Sequence, residues 1–430
     1  MSGDRHIRSV VLASSGNFLD MYDFMVYGFY AKFIAVNFFP AASLLTSLIA
    51  AFVAFGIGFL ARPVGGIILG AYVDRRGRRA GLVLAIALMG IGTLSIAIMP
   101  TYREIGVFAP ILIVLGRLLQ GLAAGVQVGA VSVYLAEIAP PGKKGFYVAW
   151  QSGSQQVAVV FAALVGLLAS IWLTGPQMVA FGWRIPFLIG SLLIPLVFYL
   201  RRWLDESPAY LAQEKHPQLR VIMRSFLRSW RIVLLGAMMA TTTTVFFYTV
   251  TSYTPTYGSA ILRLSVGDSL FVTVCVGVVN FCLLPTMGAL SDRVGRKPLL
   301  VTCAVLGIIT AYPALLWLTT HPTLGNLLSA ELWLALVYAT YNSAMVVFLA
   351  EVMPADVRTT AFSFAYSLAT ACFGGFTPAV STWLIRFARD NDYGHAAAAP
   401  GLWLAFAAAL GLIAVLLLRP PETFTAAERE

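Results

Sequence analysis

About twelve runs of roughly 20 mainly apolar residues divide this chain, with centres near residues 22, 58, 90, 121, 160, 194, 243, 278, 307, 340, 371 and 409. Short polar breaks separate them. A helix rising about 1.5 Å per residue needs that length to cross the hydrocarbon core. In lipid only helices and closed barrels satisfy every backbone group, and apolar runs this long belong to helices. At 59% apolar and 11% charged, with mean hydropathy +0.83, the chain has too little charge to coat a water-soluble globule of 430 residues. The pattern predicts an all-α integral membrane protein with 12 transmembrane helices.

The second constraint is an internal duplication. Gly70 to Arg79 reads GAYVDRRGRR, and Gly288 to Lys297 reads GALSDRVGRK, which puts Asp74 and Asp292 218 positions apart. A second pair follows the same interval: YLAEIAPPGKKG after the fourth run and FLAEVMPADVRT after the tenth, with Glu137 and Glu351 214 apart. Two landmarks at matched offsets predict two related six-helix bundles, residues 1–203 and 229–430. Residues 204–228 form the longest polar stretch, and its latter part reads as a basic amphipathic helix on the membrane surface, linking the two.

The first run is too long and too polar inside for a cleaved leader, which places the N-terminus in the cytoplasm. With that orientation, inner segments carry 21 of the 29 Lys and Arg and outer segments five: Arg103, Arg184, Arg263, Arg386 and Arg389. The net charge of +10 is then a result of orientation, and a nucleic-acid partner loses its support. Cys275, Cys282, Cys303 and Cys372 lie in apolar runs without metal-ligand spacing and read as small core residues.

Ionisable groups at bilayer depth are costly and face a cavity or a partner. Asp20 and Asp23 lie three apart on one side of the first span, where desolvation and mutual repulsion suit a carboxyl to gaining and losing a proton. The competing reading is a structural partner for Arg117 or a helix cap. Arg117 sits near the middle of the fourth span, and its planar fork matches a carboxylate with two parallel bonds. A salt bridge to the first span competes with that role. Arg62 counts nearer the inner end and reads as an anchor or packing residue.

Neutral polar groups are dense in two further spans. Gln151, Ser154 and Gln155 recur at helical spacing in the fifth, and Thr241 to Thr244, Tyr248, Thr251, Ser252 and Tyr253 fill the seventh. Singly each suits a bond to its own backbone; together they suit a cavity wall for a substrate with several carboxylates and a hydroxyl. Tyr338, Tyr341 and Asn342 of the tenth span and Asn280 of the eighth are weaker candidates. Pro255, Pro285, Gly374, Gly375 and Pro378 mark places where a helix bends or packs tightly. No HExxH, GxSxG or Walker pattern is present, which argues against an enzyme or an ATP-driven pump.

The repeated GxxxDRxGRR loop, together with GRLLQG around Arg117 and Gln120, resembles the major facilitator superfamily over essentially the whole chain. GNFLDMYDFMVYG and GWRIPFLIG resemble its metabolite:proton symporter branch, and FYVAWQSGSQQVAVV, YTPTYG and FSLATACFGGFTPAVST, the last with Tyr366 in place of its first Phe, are most similar to bacterial citrate and other tricarboxylate carriers. The resemblance implies two pseudo-symmetric bundles that expose a midplane site alternately. It implies a small carboxylate substrate, held by Arg117, Gln120, Gln151, Ser154, Gln155, Tyr22, Tyr248, Tyr253, Tyr341 and Asn342, with protons as coupling ion at Asp20 or Asp23 and no cofactor. Gly70, Asp74, Arg75, Gly77, Arg78, Glu137, Asp292, Arg293, Arg296, Glu351 and Arg358 form the expected gating set, with Asp74 capping the helix that follows it. A monomer in the bacterial inner membrane, both termini cytoplasmic, is expected. Tricarballylate, aconitate, a dicarboxylate or a zwitterion remain alternative substrates.

Overall fold

The computed structural model describes residues 18, 21–76, 78–124, 132, 135–136, 138–201, 229–353 and 358–418. Asp20, Gly77, Glu137 and the segment 204–228 lie outside the described residues, as do the side chains of Asp74, Arg75 and Arg78 and the surroundings of Gly70. Among the described residues the long helical segments are α1 (21–38, interrupted at Tyr30), α2 (Leu44–Arg76), α3 (Arg78–Ile98), α4 (Phe108–Ala123), α5 (Lys144–Trp172) and α6 (Arg184–Arg201). They continue as α7 (Trp230–Ile261), α8 (Val266–Val294), α9 (Arg296–Thr320), α10 (Leu324–Val352), α11 (Thr360–Asp390) and α12 (Pro400–Leu417). Eight of these segments are long and apolar enough to cross a membrane, and shorter apolar helices cover Ala87–Ile98, Phe108–Ala123 and Arg184–Leu193. The protein is an all-α membrane protein with the expected order of spans.

The apolar faces meet in one continuous core that α1, α7 and α10 fill most completely. Bulky side chains such as Val157, Leu164, Leu168, Ile309 and Phe406 stay on the outside, where lipid rather than water is their neighbour. Cys282 and Cys372 lie on this exterior and Cys275 is half-buried; of the four expected core cysteines, Cys303 alone is buried.

α5 and α8 cross closely at the end that carries the second loop motif. A Cβ at Gly145 would stand 2.2 Å from the Gly288 carbonyl oxygen, so both helices need glycine there. Gly288, the first glycine of the second motif copy, permits this approach. Its second glycine, Gly295, turns the chain from α8 into α9 at φ 94°, a conformation that a Cβ would strain. The Asp74 cap lies outside the described residues; in the second copy of the motif the carboxylate reaches another helix. The Asp292 carboxylate accepts from the amides of Gly145 (2.8 Å) and Phe146 (3.0 Å), the free first turn of α5, instead of capping α9. α5 lacks a side-chain cap of its own, and an anion placed against its positive end supplies one from across the protein. The cations meanwhile stay near home. Arg296 pairs with Asp292 at 2.7 Å and Glu351 at 3.7 Å, while Lys297 donates to the Leu418 carbonyl at the end of α12.

The opposite end is sealed between α1 and α7 and between α2 and α11. Gly28 faces the Ser252 side chain so closely that a Cβ would lie 2.0 Å from its Oγ, and the Phe52 ring meets Tyr253 edge-on at 5.7 Å. Arg386 Nη1 donates to Thr46 Oγ1 at 2.9 Å across the α2–α11 contact. The helices that make this seal are irregular. α7 carries π-helical turns at Thr249–Tyr253 and Tyr257–Ile261 on either side of Pro255, and α11 carries one at Thr370–Gly374 before Pro378. Each adds a residue to a turn and frees backbone groups, which weakens the helix where a gate bends. Gly374 and Gly375 also pack tightly, on Thr244 and Phe59, so bending and packing coexist there. Pro285 leaves α8 continuous.

Candidate functional site

Arg117 projects from α4 and is wholly buried. Its Cζ lies 4.5 Å from the Phe24 ring centroid, 4.6 Å from Tyr27 and 5.1 Å from Phe55. Arg62 of α2 shares this box, 4.3 Å from Phe24 and 4.4 Å from Phe59. It is 7% exposed, which corrects its expected place as an anchor near the inner end. Tyr248 of α7 closes the box from the other half of the chain, 5.1 Å from Phe59 and 6.0 Å from Phe55. Each cation–ring contact contributes about 2 kcal/mol when desolvated, far less than the cost of burying an uncompensated cation. Two cations over one ring therefore concentrate positive potential, which Asp23 offsets at Arg117.

Asp23 of α1 lies near enough to attract Arg117 and Asp20 lies outside the described residues, but no direct ion pair to Arg117 forms between described side chains. Arg117 Nη1 instead donates to Gln120 Oε1 at 2.7 Å, and Gln120 Nε2 donates to Thr93 Oγ1 at 2.9 Å. The Thr93 hydroxyl in turn stands 2.5 Å from Asp23 Oδ2 and 3.0 Å from the Met89 carbonyl. A guanidinium and a buried carboxyl are thus joined by three hydrogen bonds through two neutral side chains. A hydroxyl has one proton to give and two lone pairs. The Thr93 proton is shared between Asp23 Oδ2 and the Met89 carbonyl; a proton on Asp23 Oδ2, donated to Thr93, would satisfy both acceptors and Gln120 at full strength. When Asp23 ionises, Thr93 turns its proton to Asp23 and releases Met89.

Arg117 Nε and Nη2 have no hydrogen-bond partner among the described residues, nor has Arg62 Nε. Those two Arg117 nitrogens form one edge of the guanidinium fork, the edge that receives a carboxylate with two parallel bonds. The same condition holds for buried amides on helices that face the middle: Gln151 Nε2 on α5 and both amide atoms of Gln156 (α5), Asn280 (α8) and Asn342 (α10). Buried polar atoms are normally paired, so a set left open marks a place for a polar ligand.

The other expected site residues divide into two groups. Arg117, Gln120, Asp23 and Tyr248 meet in or beside the box, and Asn342 and Gln151 offer open atoms, although Gln151 Oε1 accepts from Ser152 at 2.9 Å. Gln155 is buried on the same helix. Tyr22, Tyr253, Tyr341 and Ser154 have their hydroxyls committed within the protein: Tyr22 donates to Pro186 O, Tyr253 accepts from Thr382, Tyr341 donates to Met239 O, and Ser154 donates to Gln151 O. In the gating set Asp292, Arg296 and Glu351 come together, whereas Arg293 is exposed and Arg358 Nε is unpartnered. Sequence reasoning missed Thr93, Phe24, Phe55 and Phe59. A threonine or phenylalanine in an apolar run carries no signal of its own.

Residues 13–371 match the Major Facilitator Superfamily. The chain belongs to that superfamily. The citrate-proton symporter of Salmonella typhi is 50% identical over 424 residues, covering 98% of this chain and 96% of its own. That of Klebsiella pneumoniae is 48% identical over 417 residues, covering 97% and 93%. A solved D-xylose-proton symporter superposes with a TM-score of 0.73 at 21% identity, over 96% of this chain and 98% of its own, and shows the shared fold. The family is one of transporters, and this chain is a transporter and not an enzyme.

Proposed function

We propose that this protein imports citrate together with protons by alternating access, with Arg117 holding a substrate carboxylate and Asp23 carrying a coupling proton. The observation that supports it most is the Arg117 fork: one nitrogen tied through Gln120 and Thr93 to Asp23, two facing no partner, all inside an aromatic box with Arg62. Two cations suit a polycarboxylate better than one, and an accompanying proton lowers the remaining cost of placing excess negative charge in a low dielectric. Citrate-proton symporters half identical over nearly the full chain support the same substrate and coupling ion.

Residues 1–203 and 229–430 act as the two bundles and 204–228 as their cytoplasmic link. The protein works as a monomer in the bacterial inner membrane with both termini inside, which makes the α1–α7 seal the outer gate. Asp292, bound to the first turn of α5 and to Arg296, latches the inner end and releases as the bundles rock. The test is uptake of labelled citrate into proteoliposomes under an inward proton gradient, a sodium gradient, or neither. Accumulation with the proton gradient alone, abolished by Arg117→Ala, is expected. Accumulation of tricarballylate, aconitate or a zwitterion but not citrate would overturn the substrate, and sodium-driven uptake would overturn the coupling ion.

A further inference from the structure

Glu331 lies in the first third of α10, 1% exposed, away from the Arg117 box. Its Oε1 stands 2.9 Å from the Thr254 hydroxyl of α7, and its Oε2 has no hydrogen-bond partner among the described residues. No Lys, Arg or His comes within ion-pair distance of it there. The ionisable group that faces it is Tyr257 on α7, whose hydroxyl donates to the Ala397 carbonyl at 2.8 Å and brings no positive charge. A buried carboxylate with one neutral donor and no cation is costly in its ionised form.

The Thr254 hydroxyl decides where the proton is. It is 2.9 Å from Glu331 Oε1 and 3.1 Å from the Thr249 carbonyl, two acceptors for one hydroxyl proton. One proton shared between two acceptors makes two weak bonds; a protonated Glu331 that donates to Thr254, which then donates to Thr249, makes both at full strength. Ionisation would leave Thr249 without that donor, inside the π-helical turn where α7 is already weakest.

Thr254 and Tyr257 belong to the irregular part of α7 that also forms the seal with α1, through Ser252 against Gly28 and Lys32 Nζ at 3.5 Å from the Ser259 carbonyl. Opening that end moves the residues that cover Glu331 and lets water reach it. We propose that Glu331 is a proton-binding site that locks the α1–α7 gate: neutral while the gate is closed, ionised when it opens, so that each closure takes up one proton from the side it faces. The site is separate from Asp23. It makes gate closure, with or without substrate, sensitive to pH on that side.

The sign follows from linkage. The open form binds fewer protons, so raising the outer pH favours opening and lowering it favours closure. The test uses a chain with Cys275, Cys282, Cys303 and Cys372 replaced by Ala and Ser252→Cys added, since Ser252 is buried by the closed seal. In proteoliposomes a membrane-impermeant maleimide added outside reports opening, normalised at each pH to Asn391→Cys, which is exposed at the same end. Normalised labelling should fall by up to about tenfold per pH unit as the medium is acidified, as a one-proton linkage requires. Glu331→Gln, which mimics the neutral acid, should label slowly at every pH. The parent's pH profile in Glu331→Gln would overturn the proposal. Infrared spectra supply a readout that does not depend on that variant: the closed protein should show a neutral carboxylic acid band that survives Asp23→Asn, and its absence would overturn the proposal. The gate's orientation rests on the function proposed above; labelling from the lumen alone would refute that orientation, while a pH-independent rate would refute the proton lock.

Discussion

Replacing Thr93 with valine removes one hydroxyl and preserves the side-chain shape, and it should separate proton coupling from citrate binding. The hydroxyl is the middle of the chain from Arg117 to Asp23: it accepts from Gln120 Nε2 at 2.9 Å and stands 2.5 Å from Asp23 Oδ2. Without it, Gln120 loses an acceptor and Asp23 a neutral donor. A hydrogen bond to a charged group is worth about 1.5–3 kcal/mol, so the ionised form of Asp23 is destabilised by roughly that amount, about 10- to 100-fold in its population. In the proposed cycle Asp23 releases its proton inside each time. Counterflow, the exchange of labelled for unlabelled citrate, cycles through the protonated, loaded form and needs no release. Proton-driven accumulation in proteoliposomes should therefore fall about 10- to 100-fold in Thr93→Val, while counterflow stays within about threefold of the parent. Equal loss of both activities would make Thr93 a packing residue, and unchanged accumulation would show that the proton does not use this path.

Arg117→Lys keeps the charge but not the fork, so the citrate KM should rise by about two orders of magnitude, as expected for a lost bidentate contact. Arg62→Gln removes one of the two cations over Phe24 and should raise the KM by roughly tenfold without changing the coupling ratio, read from citrate and proton fluxes together. Asp292→Asn removes the anionic cap on α5, worth about 1 kcal/mol; maleimide access to a cysteine on the inner face of α5 should increase, and unchanged access would rule out the latch. Gly145→Ala forces a methyl against the Gly288 carbonyl and should lower thermal stability by about 1–3 kcal/mol, measured by tryptophan fluorescence in detergent.

Span order and the two-fold repeat were legible because a lipid-crossing helix writes its length into composition, and because the loop motif must sit at matching places in two halves. Arg117, Gln120 and Asp23 were legible for a related reason: charge and amide groups are rare in apolar runs, so each one signals itself. The rest depends on which helix faces which. Arg62 looked like an anchor because position along a span says nothing about rotation, and only the packing of α2 against α1 turns it onto Phe24. Asp292 stands just before α9 in sequence, yet the amides it binds belong to α5, some 147 residues away. Glu331 hid near one end of its run, where a charge passes for an interfacial residue.

The relay also indicates how a proton and an anion can be coupled without touching. Arg117 has one nitrogen committed to Gln120 and one edge, Nε and Nη2, without a hydrogen-bond partner among the described residues. A carboxylate that binds that edge draws the guanidinium toward itself and weakens its hold on Gln120 Oε1. Gln120 is then freer to turn, and its amide gives up Thr93, so the hydroxyl loses a donor while Asp23 still carries its proton. A neutral Asp23 tolerates this because it is itself the donor to Thr93; an ionised one does not, because Thr93 would then have to serve it alone. Substrate occupancy and Asp23 protonation therefore favour each other through shared hydrogen-bond donors, with the reciprocity that any such linkage requires. The coupling should vanish when the amide is made unable to pass the signal: Gln120→Leu should leave citrate binding nearly independent of pH between 5 and 8, about the range over which a coupling carboxyl has to cycle. A binding constant in Gln120→Leu that still strengthened tenfold per pH unit on acidification would place the coupling elsewhere.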